Sequence, residues 1–131
     1  MTNGSDRDQT VELRVPATYG FASTVRLVAA SLAADANLSV DDIYDVRLAV
    51  NEVFTSAVDA HAHDTQARRG SITVRFRPTD SAIVIEVVAP AGARIELDEL
   101  AMSVIRSAVD DVIVDPAAVQ LSKRRPTSLA G

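Results

Sequence analysis

The most regular pattern in the chain is DVRLAVNEVFTSAV, residues 45–58. Apolar residues recur in it at spacings of three and four, the period of one face of an α-helix. Ser39 is a suitable N-cap, and Asp41 and Asp42 follow it in the first turn, where the helix dipole favours negative charge. We therefore predict a long helix that runs to about His61. Its predicted buried face consists of Ile43, Val46, Val50, Val53, Phe54 and Ala57.

The segments on either side of this helix predict the other elements. Alternating and β-branched runs are typical of strands, and spacings of three and four are typical of helices. The predicted elements are strand 10–15, helix 17–34, the long helix, strands 71–77 and 82–89, helix 97–108, and a hairpin of strands 112–114 and 119–121. Helices come early and strands late, without regular alternation. This order predicts an α+β fold, a two-layer sandwich with helices on one face of a mixed β-sheet.

Length and composition limit the possible classes of protein. The chain has 131 residues, of which 47% are hydrophobic, so we expect one domain over residues 10–125. The polar segments 1–9 and 126–131 are predicted to be disordered tails. The net charge of −5 argues against binding to nucleic acid or anionic membranes. The chain lacks cysteine, a signal peptide and any apolar run of about 18–20 residues, so we expect a cytoplasmic protein.

Polar residues on the long helix are candidates for a metal-binding or catalytic site. Glu52, Ser56 and Asp59 are spaced four and three residues apart and share one face, where they could hold Mg²⁺ and orient a water molecule. A solvated polar face is the alternative, and spacing alone favours it. His61 and His63 form a pair near the helix end, and Asp59 and Asp64 are close in sequence. No nearby Cys or third His completes a metal site, so a surface histidine pair is favoured.

The quoted helix resembles the signature helix of the GHKL (Bergerat-fold) ATPases, in particular the bacterial anti-sigma-factor serine kinases. Those kinases carry an Arg-Leu-Ala-x-x-Glu run and a later histidine. The matching residues here are Arg47, Leu48, Ala49, Glu52 and His61. Residues 83–88 are similar to the strand before the family's Asp-x-Gly adenine motif, and 103–112 are similar to the helix after its second glycine motif. The resemblance covers about residues 10–125.

The resemblance implies a role for each motif position. Glu52 occupies the position of the general base, and Ser56 replaces the asparagine that binds Mg²⁺. Pro90 replaces the aspartate that accepts the adenine amino group, and Gly92 is retained. A serine hydroxyl can still ligate Mg²⁺. A proline offers neither a carboxylate nor an N–H, so the adenine group would lose its acceptor.

The positions that match the family's phosphate-binding motif are substituted as well. Both glycines of the second motif are replaced, by Glu99 and Ala101, which removes the close approach of backbone N–H groups to phosphate. Only residues 93–98 stand in place of the nucleotide lid. We therefore expect ATP binding to be lost or weakened and no cofactor to be needed. Whether the chain is an enzyme stays open, and the substitutions favour a pseudokinase.

The resemblance also implies partners. The expected function is that of a homodimeric anti-sigma-factor-like regulator, which sequesters a sigma factor and is released by an anti-sigma-factor antagonist. Exposed positions such as Arg26, Asp42 and Asp45 are candidates for partner contacts. The alternative is an active ATP-dependent serine kinase that acts on the antagonist, with a pocket built on Glu52, Ser56 and Gly92 and with ATP and Mg²⁺ as cofactors. A third possibility is a structural module that pairs with an intact relative.

Overall fold

The structure is a computed structural model that describes residues 9–62 and 70–126. The predicted order of elements is confirmed. The elements are β1 (Val11–Pro16), a 3₁₀ turn (Tyr19–Phe21), α1 (Ala22–Asp35), α2 (Val40–Ala62), β2 (Ser71–Pro78), β3 (Ala82–Val88), α3 (Glu99–Ala108), β4 (Asp111–Asp115) and β5 (Ala118–Arg124). Most of the two predicted tails and the loop at 63–69, which includes His63, lie outside the described residues.

The five strands form one sheet in the order β1-β2-β3-β5-β4. Every pairing between described strands is antiparallel, so the predicted mixed sheet is wrong on this point. The cause is the position of β5, which lies between β3 and β4 and pairs with both. β3 and β4 run in the same direction, but β5 keeps them apart. The α+β class is confirmed.

The helices cover one face of the sheet, and the core lies between the two layers. Strand residues alternate as predicted, because successive side chains of a strand point to opposite faces. The buried strand residues include Ile72, Val74, Phe76, Ile83, Ile85, Val87, Val119 and Leu121. The long helix contributes Val46, Ala49, Val50, Val53, Phe54, Ala57 and Val58. Phe54 and Phe76 are the largest fully buried side chains.

The opposite face of the sheet carries polar residues. Arg75 at its centre forms ion pairs with Glu12 at 2.7 Å and with Glu86 at 3.0 Å. Hydrogen bonds to these carboxylates raise the pKa of Arg75 above its ordinary value. The pairs are exposed, so their contribution to stability is small. This face is the surface that the helices leave uncovered.

The caps of the helices differ in part from the prediction. Ser39 caps α2 as expected, since its Oγ accepts a hydrogen bond from the Asp42 N–H at 3.1 Å. α1 begins at Ala22, because the 3₁₀ turn takes up the preceding residues. α3 begins at Glu99, where Asp98 provides the N-cap. No helix in the described ranges is long and apolar enough to cross a bilayer.

Candidate functional site

A cleft of about 360 Å³ lies between the C-terminal half of α2 and the segment that follows β3. Its lining residues are Ser56, Asp59 and Ala60 from α2, and Gly92, Ala93, Arg94 and Glu96 from that segment. The structure therefore brings together Ser56 and Gly92, two motif positions that are distant in the sequence. Glu52 is half-buried and lies one helical turn before Ser56 on α2. The roles of these residues stay predictions.

A tight turn after β3 forms one wall of the cleft. The Ala93 N–H donates to the Pro90 carbonyl at 2.9 Å and closes the turn. Gly92 has a φ of 84°, a conformation that favours glycine and that the third residue of a type II turn requires. Gly92 is thus needed for the turn itself, with or without a bound nucleotide.

The polar side chains of α2 that line the cleft are hydrogen-bonded to other groups of the protein. The Ser56 hydroxyl donates to the Glu52 main-chain carbonyl at 2.8 Å, one turn back along the helix. The Asp59 carboxylate accepts a hydrogen bond from the Tyr19 hydroxyl. Ser56 keeps acceptor capacity toward the cleft, but its proton is already bound to the backbone.

The position that the resemblance assigns to adenine recognition lacks the expected acceptor. Pro90 stands where the resemblance places the adenine-binding aspartate, and it is buried. Its carbonyl is bound to Ala93 inside the turn. An adenine amino group placed there would lack its carboxylate acceptor, which costs about 1–3 kcal/mol.

The positions that the resemblance assigns to phosphate binding, at the start of α3, include an N–H group that is already bound. The Asp98 Oδ1 accepts a hydrogen bond from the Ala101 N–H at 2.7 Å and so caps α3. Glu99 follows in the first turn and is exposed, whereas Ala101 is buried. Phosphates bind at helix N-termini because free N–H groups and the dipole attract them. Here the Asp98 carboxylate binds at the helix N-terminus in place of a phosphate, and the Glu99 carboxylate follows it in the first turn.

The connection between the two motifs is too short to close over a ligand and is held against the core. Ile95 is buried, and its N–H donates to the Pro116 carbonyl in the β4–β5 turn at 2.8 Å. Leu97 packs against the core as well. Residues 93–98 therefore form a fixed link and not a lid.

The three residues predicted for partner contacts already bind other side chains of this chain. Arg26 is half-buried and donates to the Asn51 side-chain oxygen at 2.7 Å. Asp42 and Asp45 each lie 3.5 Å from the Lys123 Nζ. These side chains hold α1, α2 and β5 together, so the idea that they are freely exposed is wrong.

Sequence reasoning did not single out Arg94, Glu96 or Asp98. Asp98 had a recognisable pattern, an aspartate directly before an apolar helical period. Arg94 and Glu96 had none, because only the turn after β3 brings them to the cleft. In the described part of the chain, no group of three or more His, Cys, Asp or Glu side chains could hold a metal ion.

Helices on one face of a five-stranded sheet, with a cleft between the long helix and the turn after β3, define the class of histidine kinase-like ATPase domains. The family profile described as "histidine kinase-like ATPase domain" matches residues 15–123. The chain belongs to this family, and the resemblance found in the sequence is confirmed.

Among named relatives, the chain is similar to serine-protein kinase RsbW of Bacillus licheniformis. The two are 32% identical over 89 residues, which cover 68% of this chain and 54% of that protein. The same kinase of Staphylococcus epidermidis is 35% identical over 77 residues, covering 59% of this chain and 48% of that protein. The match thus spans about half the length of these curated relatives.

A solved structure supports the fold. The crystal structure of the RsbU and RsbW domains of Rv1364c from Mycobacterium tuberculosis aligns with a TM-score of 0.63. The alignment covers 88% of this chain and 32% of that one, at 18% sequence identity. At this identity the likeness concerns the fold alone.

Proposed function

We propose that this chain is a protein-binding regulator of the anti-sigma-factor type in which ATP binding is lost or weakened. The N-terminus of α3 carries the argument, because Asp98 caps it and Glu99 stands beside the cap. Two carboxylates at this point repel a triphosphate. The buried Pro90 and the short link 93–98 support the same conclusion.

The proposed partners follow from the family resemblance. The chain acts as a homodimer that sequesters a sigma factor, and an anti-sigma-factor antagonist releases it. It works in the cytoplasm, without contact to nucleic acid or membrane.

A serine protein kinase is the second candidate function. The relatives of known name are serine-protein kinases, and this observation favours the kinase over a pseudokinase. The cleft also keeps Ser56, Asp59 and Gly92, with Glu52 one turn away. In this case Mg²⁺ and ATP bind in the cleft, and the antagonist receives the phosphate.

Calorimetric titration with Mg-ATP and with Mg-ADP separates the two functions. We expect no saturable binding below about 1 mM nucleotide, since the lost acceptor and the added charges remove several kcal/mol of affinity. The matched variant is Asp98→Ala/Glu99→Ala, which removes both carboxylates. If this variant gains weak binding, the two carboxylates at the start of α3 are the cause of the loss, through their charge and through the cap that occupies the Ala101 N–H.

Micromolar binding by the unaltered chain, together with phosphate transfer to an antagonist, would contradict the proposal and establish the kinase. A pull-down from the native cell tests the third possibility. Recovery of a relative with complete motifs and no sigma factor would favour a heterodimeric module.

A further inference from the structure

β4 is an edge strand whose outer side is open. Within residues 9–62 and 70–126 it pairs with β5 only. Its central residues are apolar, yet Ile113 is 60% exposed and Val114 is 48% exposed. These two neighbours point to opposite faces of the sheet, so a strand placed along this edge would contact apolar side chains on both faces.

The hydrogen-bonding groups of this edge can be assigned from the register. Asp115 pairs with Ala118 across a two-residue turn, and such a closing pair is hydrogen-bonded. Hydrogen-bonded and non-hydrogen-bonded pairs alternate along an antiparallel ladder. Ile113 therefore bonds to β5, whereas Val112 and Val114 direct their N–H and C=O groups outward. These groups are available to another strand.

The charges at the ends of β4 determine which kind of strand can bind along this edge. Asp111 and Asp115 are both exposed and lie on the same face as Ile113. The Asp115 Oδ1 accepts a hydrogen bond from the Ala117 N–H at 3.0 Å, so a basic partner would pair with this carboxylate while its Oδ1 stays bound in the turn. In a symmetric antiparallel pair of two copies centred on Ile113, Asp111 of each copy would face Asp115 of the other, and like charges in direct opposition are destabilising. A shift of the register toward the turn would place Pro116 in the pair, which offers no N–H.

We propose that the free edge of β4 binds an extended segment of another protein as an additional antiparallel strand, in which two basic residues four positions apart flank aliphatic residues. The two basic side chains pair with Asp115 and Asp111, and the residues between them cover the apolar centre of β4. The contact lies outside the nucleotide cleft, so it holds whether or not the chain binds ATP.

The other edge of the sheet lacks this pattern. β1 carries both charge signs, Glu12 and Arg14, and the Glu12 carboxylate is already paired with Arg75. β1 also ends in Pro16, which has no N–H to offer. Of the two edges of the sheet that the described residues form, the β4 edge is the one that combines outward apolar residues with a single sign of charge.

A labelled synthetic peptide with the core Lys-Val-Thr-Val-Lys is the probe, and fluorescence anisotropy measures its binding to the full chain. We expect saturable binding that weakens at high salt. A peptide with glutamate in place of both lysines should bind at least about tenfold more weakly, because each cross-strand charge pair becomes repulsive. A peptide N-methylated at both valines should not bind, since its strand hydrogen bonds are blocked.

Charge reversal on the protein gives the complementary test. The variant Asp111→Lys/Asp115→Lys should lose about tenfold in affinity for the lysine peptide and gain affinity for the glutamate peptide. The matched control is Asp35→Lys/Asp80→Lys, which changes the net charge equally at exposed positions away from β4. This control should bind the lysine peptide nearly as well as the parent.

Amide hydrogen exchange locates the contact. In the free protein the N–H groups of Val112 and Val114 should exchange fast and that of Ile113 slowly, and the peptide should protect the first two. Equal binding of the lysine peptide by the Asp111→Lys/Asp115→Lys variant would overturn the proposal. A lack of peptide binding by the parent would overturn it too, and would indicate that the two aspartates protect the strand edge from aggregation. Concentration-dependent protection without peptide would assign the edge to a second copy and overturn it too.

Discussion

Asp98 and Ser56 both direct side-chain hydrogen bonds at the protein's own main chain. The Asp98 carboxylate binds the Ala101 N–H, and the Ser56 hydroxyl binds the Glu52 carbonyl. In each case a group that a nucleotide would need is already satisfied. Both side chains thus bind main-chain groups at or beside positions that the resemblance assigns to nucleotide binding, which agrees with the proposed loss or weakening of ATP binding.

Gly70 and His61 form a close contact at the end of α2. A Cβ at position 70 would lie 2.5 Å from the His61 Cε1, nearer than a carbon atom tolerates. We expect Gly70→Ala to lower the free energy of unfolding by about 1–2 kcal/mol, because the imidazole must move. Urea denaturation followed by circular dichroism measures this change.

The control for this prediction is Gly20→Ala, where the new Cβ meets nothing nearer than the Thr18 Oγ1 at 4.0 Å. Its stability should equal that of the parent or exceed it slightly. In a His61→Ala background, Gly70→Ala should cost much less stability than in the parent, because the imidazole that the new Cβ would meet is absent. If it does not, the contact with the imidazole is not the cause.

At the level of elements, the start of α3 depends on one cap. Replacing Asp98 by Ala removes the acceptor for the Ala101 N–H and should cost about 1 kcal/mol of stability. Glu99→Ala, one residue later, removes only a favourable interaction with the helix dipole and should cost less, about 0.3–1 kcal/mol. Thermal denaturation of the two variants side by side measures the difference. Equal losses would show that Asp98 acts through charge alone.

Lys123 connects three elements, so its contacts contribute to the stability of the whole molecule. From β5 its Nζ donates to the Ala108 carbonyl at the end of α3 at 2.7 Å, and it lies 3.5 Å from Asp42 and Asp45 on α2. Its side chain is only 13% exposed. We expect Lys123→Ala to lower the free energy of unfolding by roughly 1–3 kcal/mol, because it leaves a helix-end carbonyl without its charged donor. Chemical denaturation at low and high salt measures the loss.

The neighbouring residue provides the control. Arg124 is 73% exposed and lies 3.7 Å from Asp110. Arg124→Ala should change stability by less than about 0.5 kcal/mol, as is usual for surface ion pairs. A loss equal to that of the Lys123 variant would contradict the role assigned to Lys123.

The family was recognised from the motif resemblance of residues 45–58. The order of elements and their burial patterns were predictable as well, because spacings of two or three to four encode which side of a strand or helix is buried. Ser39 as a cap of α2 and the apolar face of that helix were recognised in this way. The placement of β5 between β3 and β4 was not, since strand pairing depends on contacts between residues distant in the chain. The same holds for the cleft that joins Ser56 to Arg94 and Glu96, and for the open edge of β4. Local periodicity specifies each element, whereas its neighbours are selected by the burial of the apolar surface of the whole chain.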